Sequence, residues 1–194
     1  MYKMILQTMK KVLLLTAVIL AITQCGKQSF SPEALVGTYY QAFDDSDFDK
    51  IREVISDSLT IVEGDYITLY TNESFYEQFR WDSIFQTSYQ IKELESNADE
   101  QVIVTVSSSS VRYRFLKNDP LTCQFKISIE DKKIKKIEAM DCLEADWAVW
   151  EGERDSLVQW TQLHHPELDG FIHDLSMQGA MNYLKAIELY LARH

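Results

Sequence analysis

Histidine is missing between residues 32 and 142, and the four that the chain carries (His164, His165, His173 and His194) all lie in its C-terminal tail. The main body therefore has no imidazole to relay protons. His164-His165-Pro166-Glu167 and His173-Asp174 do not match a zinc spacing such as two histidines four apart on a helix, and a surface helix end is the expected setting. The six glycines build no phosphate loop, and there is no Gly-x-Ser-x-Gly elbow and no Cys-x-x-Cys pair. Nucleotide cradling, serine hydrolysis and thiol exchange thus lack their motifs. Basic residues are scarce, 19 against 30 acids for a net charge of −11. The one basic cluster, Lys132, Lys133, Lys135 and Lys136, falls in an expected turn, whereas a phosphate backbone is bound by grouped cations that displace counterions. Nucleic acid is not an expected partner, and no cofactor or metal is called for.

A long apolar run is missing too. The longest, Val12 to Ile22, falls short of the roughly 20 residues that cross a bilayer about 30 Å thick. What surrounds it is informative: Lys10 and Lys11 precede it, and Ile22-Thr23-Gln24 lead to Cys25. Basic residues, a short apolar segment and a cleavage point before a cysteine make a bacterial lipoprotein signal. Residues 1–24 are expected to be removed and Cys25 to carry lipid, although Gln24 is bulkier than the small residue usual at that position. Removal takes away Lys3, Lys10 and Lys11 and no acid, leaving 16 basic against 30 acidic residues and a net charge of −14. So acidic a surface adds little attraction to anionic lipid, and the lipid chains are the anchor. The expected location is the cell envelope, on the periplasmic face or at the outer membrane, since Gly26 offers no acidic retention signal. Residues 25–31 form a tether, and the remaining length suits one domain with a real core.

The expected elements begin at Ser31-Pro32, a helix start with proline in its first turn. Leu35, Tyr39, Ala42 and Phe43 recur at helical spacing, and Ser46 or Asp47 caps a second helix that buries Phe48, Ile51, Val54 and Ile55. Asp45-x-Asp47-x-Asp49 is not a calcium loop, because Lys50 stands where glycine is needed and Ser56 where a bidentate Glu should be. A short strand, Leu59 to Glu63, ends at Gly64, and Thr71 or Asn72 opens a third helix over about 73–86. Sheet follows from Tyr89. Val102, Val104 and Val106 alternate with polar residues, and the phase shifts across Ser107 to Ser110 before Val111, Tyr113 and Phe115, which reads as a bend within one long strand. Leu121 to Glu130 and Lys133 to Cys142 form the closing hairpin. With regular pairing Cys123 and Cys142 share a face, while a one-residue bulge near Lys135-Lys136 sets them apart. The spacing of Ile134, Ile137 and Ala139 favours the bulge, and with it a buried free thiol over a disulfide.

The segments Ala34-Leu-Val-Gly-Thr-Tyr39-Tyr40-Gln-Ala42-Phe43, Ser46-Asp47-Phe-Asp-Lys-Ile and Asp57-Ser58-Leu-Thr60-Ile-Val-Glu63, with the hairpin at Asp131, resemble the nuclear transport factor 2-like (SnoaL-like) superfamily over residues 32–142. Phe79-Arg-Trp81-Asp82-Ser-Ile-Phe85 and the tail are also similar to uncharacterised lipoproteins of Bacteroidetes. The resemblance implies an α+β, cystatin-like cone fold, a bent antiparallel sheet wrapped by N-terminal helices around a pocket. The cone hosts several chemistries, so the site must be argued from its residues. Similarity to ketosteroid isomerase would make Tyr39 an oxyanion donor and Glu63 the base, a coherent pair. Against it, the inward positions Leu121, Cys123, Phe125, Ile127 and Ile129 supply no second acid, and Tyr39 also fits as a packing aromatic. A dehydratase-like His-Asp pair is excluded by the absence of histidine.

Residues 143–194 form a helical extension. Trp147, Trp150, Leu157, Trp160 and Leu163 mark one helix, ended by Pro166, and Ala180, Tyr183, Leu184, Ile187, Tyr190 and Leu191 mark a second, capped by Ser176. These stripes are expected to pack over the sheet or plug the cone mouth, the other roles being a lid or a homodimer face. The favoured function is a non-catalytic, lipid-anchored binding module for a small apolar ligand or a partner protein. The alternative is an isomerase- or lyase-like enzyme using Glu63 and Tyr39.

Overall fold

A computed structural model describes residues 30–97 and 100–193. The signal segment, Cys25 and the tether through residue 29 lie outside the described residues. The folded unit begins at Ser31. Helix α1 (Pro32–Asp44) starts where the Ser31 hydroxyl accepts from the Ala34 amide, and α2 (Phe48–Val54) starts at Asp47, which accepts from the Lys50 amide. Each cap satisfies one amide that the first turn leaves unpaired. Strands β1 (Ile55–Glu63) and β2 (Tyr66–Thr71) form a hairpin around Gly64, whose φ of 59° lies in the left-handed region that glycine enters without a steric penalty. Helix α3 (Asn72–Ser83) opens on a reciprocal capping box between Thr71 and Ser74. Strands β3 (Ser88–Ser96), β4 (Gln101–Ser109), β5 (Leu121–Glu130) and β6 (Lys133–Leu143) follow, with the short helix α4 (Val111–Phe115) between β4 and β5.

The six strands lie in the order β2-β1-β6-β5-β4-β3 in one curved, open sheet, with β1 parallel to β6 and every other pair antiparallel. Register shifts interrupt β1 on β6, β3 on β4 and β5 on β6. Extra residues on one strand of a pair bend the sheet and increase its twist, and the concave face closes over α1, α2 and α3. Val36, Ile51, Leu59, Phe75, Val102, Val104, Ile127 and Ile134 form the core between them.

Three expectations are corrected. The phase shift at Ser107–Ser110 is the end of a strand rather than a bend within it: the Ser110 hydroxyl accepts from the Tyr113 amide at 3.0 Å and starts α4. Strand β2 was not expected, because its residues are largely exposed and no burial alternation marks it. The third correction is the disulfide, which joins Cys123 to Cys142. The bulge expected near Lys135 is present, since Ser128 faces Lys136 while Ile129 faces Ile134, but a second shift lies between Phe125–Ala139 and Cys123–Cys142. Two one-residue shifts restore the phase and return the two thiols to one face.

The tail forms α5 (Trp147–His164), a 3-10 turn at Pro166–Leu168 and α6 (Met177–Leu191), capped by Asp146 and Ser176 respectively. These helices pack chiefly on α3, α4 and each other rather than across the sheet. A second core results, with Trp81 and Phe85 from the end of α3, Phe115 and Leu116 from α4, and Leu157, Phe171, Tyr183 and Ile187 from the tail. Buried Asn118 fixes the entry to α5: its Oδ1 accepts from the Asp146 amide at 2.8 Å and its Nδ2 donates to the Asp146 carbonyl at 3.2 Å. Gly179 has no room for a Cβ against the Asp174 backbone, so the turn before α6 can press on its first turn.

The disulfide closes a loop between residues 19 apart, which limits the unfolded chain by about 3 kcal/mol. Urea unfolding of a Cys123→Ala, Cys142→Ala variant is expected to show a loss of about that size, matched by wild type under reductant. An unmoved midpoint in both would contradict the pairing.

Candidate functional site

Inside the cone, α1, α3, α4 and the concave face of the sheet enclose a cavity of about 210 Å³. Tyr39 and Tyr40 enter from α1, Phe75, Trp81 and Asp82 from α3, Tyr89 from β3, Arg112 and Tyr113 from α4, and Phe125 and Ile137 from the sheet floor. The apolar stripe of α1 places its tyrosines inward, where Tyr39 and Tyr40 pack edge to face at 5.2 Å and Tyr39 meets Phe43 at 5.1 Å. Both phenols are buried, which pushes their ionisation up, for Tyr39 with added repulsion from Tyr40, Asp82 and Tyr70. Neither hydroxyl has a hydrogen-bond partner among the described residues.

Asp82 is a half-buried carboxylate of this cavity. Its Oδ2 accepts from the Tyr89 hydroxyl at 2.6 Å and its Oδ1 from the Thr87 hydroxyl at 3.1 Å. Tyr89 is itself held at its amide, which donates to Asp44 Oδ1 at 2.8 Å, so the end of α1 positions the strand that positions the phenol. Burial raises the Asp82 carboxyl above its ordinary value, while the Tyr89 hydrogen bond, the Arg112 charge and the Thr87 hydroxyl pull the other way. A carboxyl in that balance can hold a proton or accept one.

Arg112 lies among aromatic rings. Its guanidinium carbon is 4.7 Å from the Trp81 ring centre, 5.1 Å from Tyr113, 5.4 Å from Phe85 and 5.9 Å from Trp150 of the tail. Ring faces attract a cation and strip its water. The Arg112 Nε and the Trp81 Nε1 are buried with no hydrogen-bond partner among the described residues, and no carboxylate comes within ion-pair distance of this guanidinium there.

Tyr39 and Glu63 both line this cavity, but in different settings: Tyr39 is buried, while Glu63 is exposed at the end of β1. Asp82, Tyr89 and Arg112 were not expected. Asp82 sits among the aromatics of α3 and Arg112 behind a serine run, and nothing in their spacing announces that they meet. A signal was available in Ser110, whose capping role turns Arg112 inward. A larger hollow of about 770 Å³ lies over Asp45–Asp49, but it is wide open and its carboxylates are engaged in capping and with Lys50 and Arg52. Among the described residues, no group of three or more His, Cys, Asp and Glu side chains could hold a metal ion. In the tail, His164 bonds the Trp160 carbonyl and His165 the Glu167 carboxylate.

No family model matches this chain, and no curated protein matches it. Solved structures do. A protein from Kribbella flavida superposes with a TM-score of 0.50 at 11% identity, covering 64% of this chain and 93% of that one. An NTF2-like protein of unknown function from Cytophaga hutchinsonii gives 0.47 at 10% identity, over 59% and 92% of the two chains. The epoxide hydrolase/cyclase-like enzyme SalBIII of salinomycin pyran ring formation gives 0.48 at 16% identity, over 56% and 88%. The fold is nuclear transport factor 2-like. At these identities the likeness is one of fold alone, and the fold is compatible with ligand binding and with enzyme activity.

Because the Asp82 carboxyl is raised, the folded protein keeps this proton to higher pH than the unfolded chain does. Its contribution to stability therefore falls as pH rises from about 4 through the raised value. Asp82→Asn retains an acceptor for Tyr89 and removes the charge. Chemical unfolding across pH is expected to show wild type losing stability relative to this variant as pH rises, whereas a gain would place Asp82 in a net stabilising ion pair.

Proposed function

We propose that this chain is a cell-envelope protein, anchored through lipid on Cys25, whose cone cavity binds a small and mostly apolar ligand without converting it. The observation that carries the reading is the cavity itself, walled by aromatic and aliphatic side chains with a few polar groups converging on it. That is the usual make-up of a small-molecule site, although at about 210 Å³ it lies below the range of roughly 300–1,000 Å³ common for drug-sized ligands. A compact ligand is implied. The exposure of Glu63 at the end of β1 supports binding over proton abstraction, because a carboxylate facing water is not held against a ligand inside the cavity. The isomerase- or lyase-like alternative draws on one observation, that Tyr39 and Glu63 line the same space.

Homodimerisation is proposed through β2, an edge strand among the described residues, where Tyr66, Ile67 and Leu69 are exposed. Sedimentation of the delipidated protein, with and without charged substitutions at Ile67 and Leu69, tests it.

Two measurements bear on the main reading. Labelled palmitate is expected to enter the wild-type protein and not Cys25→Ala, which should move to the soluble fraction; incorporation in the variant would refute the anchor. Native against denaturing mass spectrometry of the gently purified protein is expected to reveal a small retained mass, unchanged by Glu63→Gln. Turnover of the released compound by wild type, abolished by Glu63→Gln, would instead establish the enzyme.

A further inference from the structure

Resting on the cavity-binding reading, we propose that Arg112 and Trp81 form a carboxylate-binding subsite at one wall of the cone cavity, so that the ligand is a short-chain or arylalkyl carboxylic acid. The argument starts from what these groups lack. A buried donor without an acceptor costs free energy, and a partly desolvated cation without a hydrogen-bonded counter-anion costs more. Two such donors belong to residues that line one cavity: the Nε–H of Arg112 and the indole N–H of Trp81, both buried and unpartnered among the described residues. They belong to side chains in contact, with the guanidinium 4.7 Å from the Trp81 ring centre, and a carboxylate has two oxygens with which to take both.

The alternative claimant for Arg112 is Asp82, a carboxylate that feels its charge. Its two oxygens accept from Tyr89 and Thr87, and among the described residues it makes no ion-pair contact with the guanidinium and acts on it through space. Among the described residues, the one hydrogen bond from Arg112 to a side chain, Nη2 to the Tyr113 hydroxyl, is long at 3.5 Å and leaves Nε without a partner. The aromatic nest strengthens the subsite, because a guanidinium screened by four rings binds an anion in a medium of low effective dielectric. The body of the ligand then lies along Tyr39, Phe75, Phe125 and Ile137, and the cavity volume limits that body to a short chain or a single ring.

The test is isothermal titration of the full mature chain, made soluble by Cys25→Ala and stripped of retained ligand, with butyrate and phenylacetate and with the matching amides. The expected result is saturable binding of at least one acid, with its amide about tenfold or more weaker. Arg112→Gln should abolish that preference. Trp81→Phe, which keeps the ring and removes only the N–H, should weaken the acid several-fold and leave the amide unchanged. Arg112→Lys, which keeps the charge in the nest, guards against simple unfolding and should recover part of the preference. Acid and amide binding equally, or a preference that survives Arg112→Gln, would overturn the subsite and leave the cavity reading intact. Failure of acids and amides alike would overturn both.

Discussion

The structure turns on packing one half-buried guanidinium among aromatic rings. Arg112 sits where the main body and the helical tail meet, covered by Trp81 and Phe85 from the end of α3, by Tyr113 beside it and by Trp150 from α5. Trp81 and Phe85 also belong to the core that the tail completes. The side chain that gives the cavity its positive wall is thus held by the same rings that fasten the tail to the cone. Such a cation is stabilised by ring quadrupoles, each contact worth about 0.5–2 kcal/mol, and its buried Nε–H has no partner among the described residues. The tail is therefore part of the site's construction as well as an added layer.

The polar inventory of the cavity follows from this arrangement. Asp82 is close enough to feel Arg112 but is hydrogen-bonded to Tyr89 and Thr87, so its orientation is set by the start of β3. Tyr89 is fixed in turn from the end of α1 through Asp44. The end of α3 and the start of β3 meet at one carboxyl, with the end of α1 bonded behind them through Asp44, while Glu63 stays exposed at the rim. The chemistry of the interior is carried by charges that enter from α3 and α4.

Much of the fold was legible in the sequence because its signals are local. Ser31, Asp47, Thr71 and Ser176 cap helices where their spacing to the first apolar residues places them, and the alternation of Leu121 to Glu130 gives a strand with one wet face. What escaped depends on tertiary context. The phase shift at Ser107–Ser110 fits a bent strand as well as a new helix, and only the Ser110 cap decides between them. The bulge near Lys135 was readable from the isoleucine spacing, but its compensating partner near Met140 leaves no apolar signature, so the disulfide was hidden. Tyr39 was legible as a wall of the cavity through the helix stripe. Asp82 and Arg112 were not, because single charged residues thirty positions apart say nothing of meeting until α3 and α4 are packed together.

The most direct measurement is the set of side-chain NMR resonances of Arg112 in the ligand-free protein. An arginine stacked among Trp81, Phe85, Tyr113 and Trp150 is expected to show side-chain protons displaced upfield by ring currents and an Nε–H protected from solvent exchange, with both effects diminished in Trp150→Ala. Resonances at the positions of a solvated arginine, indifferent to Trp150, would contradict the account at its centre.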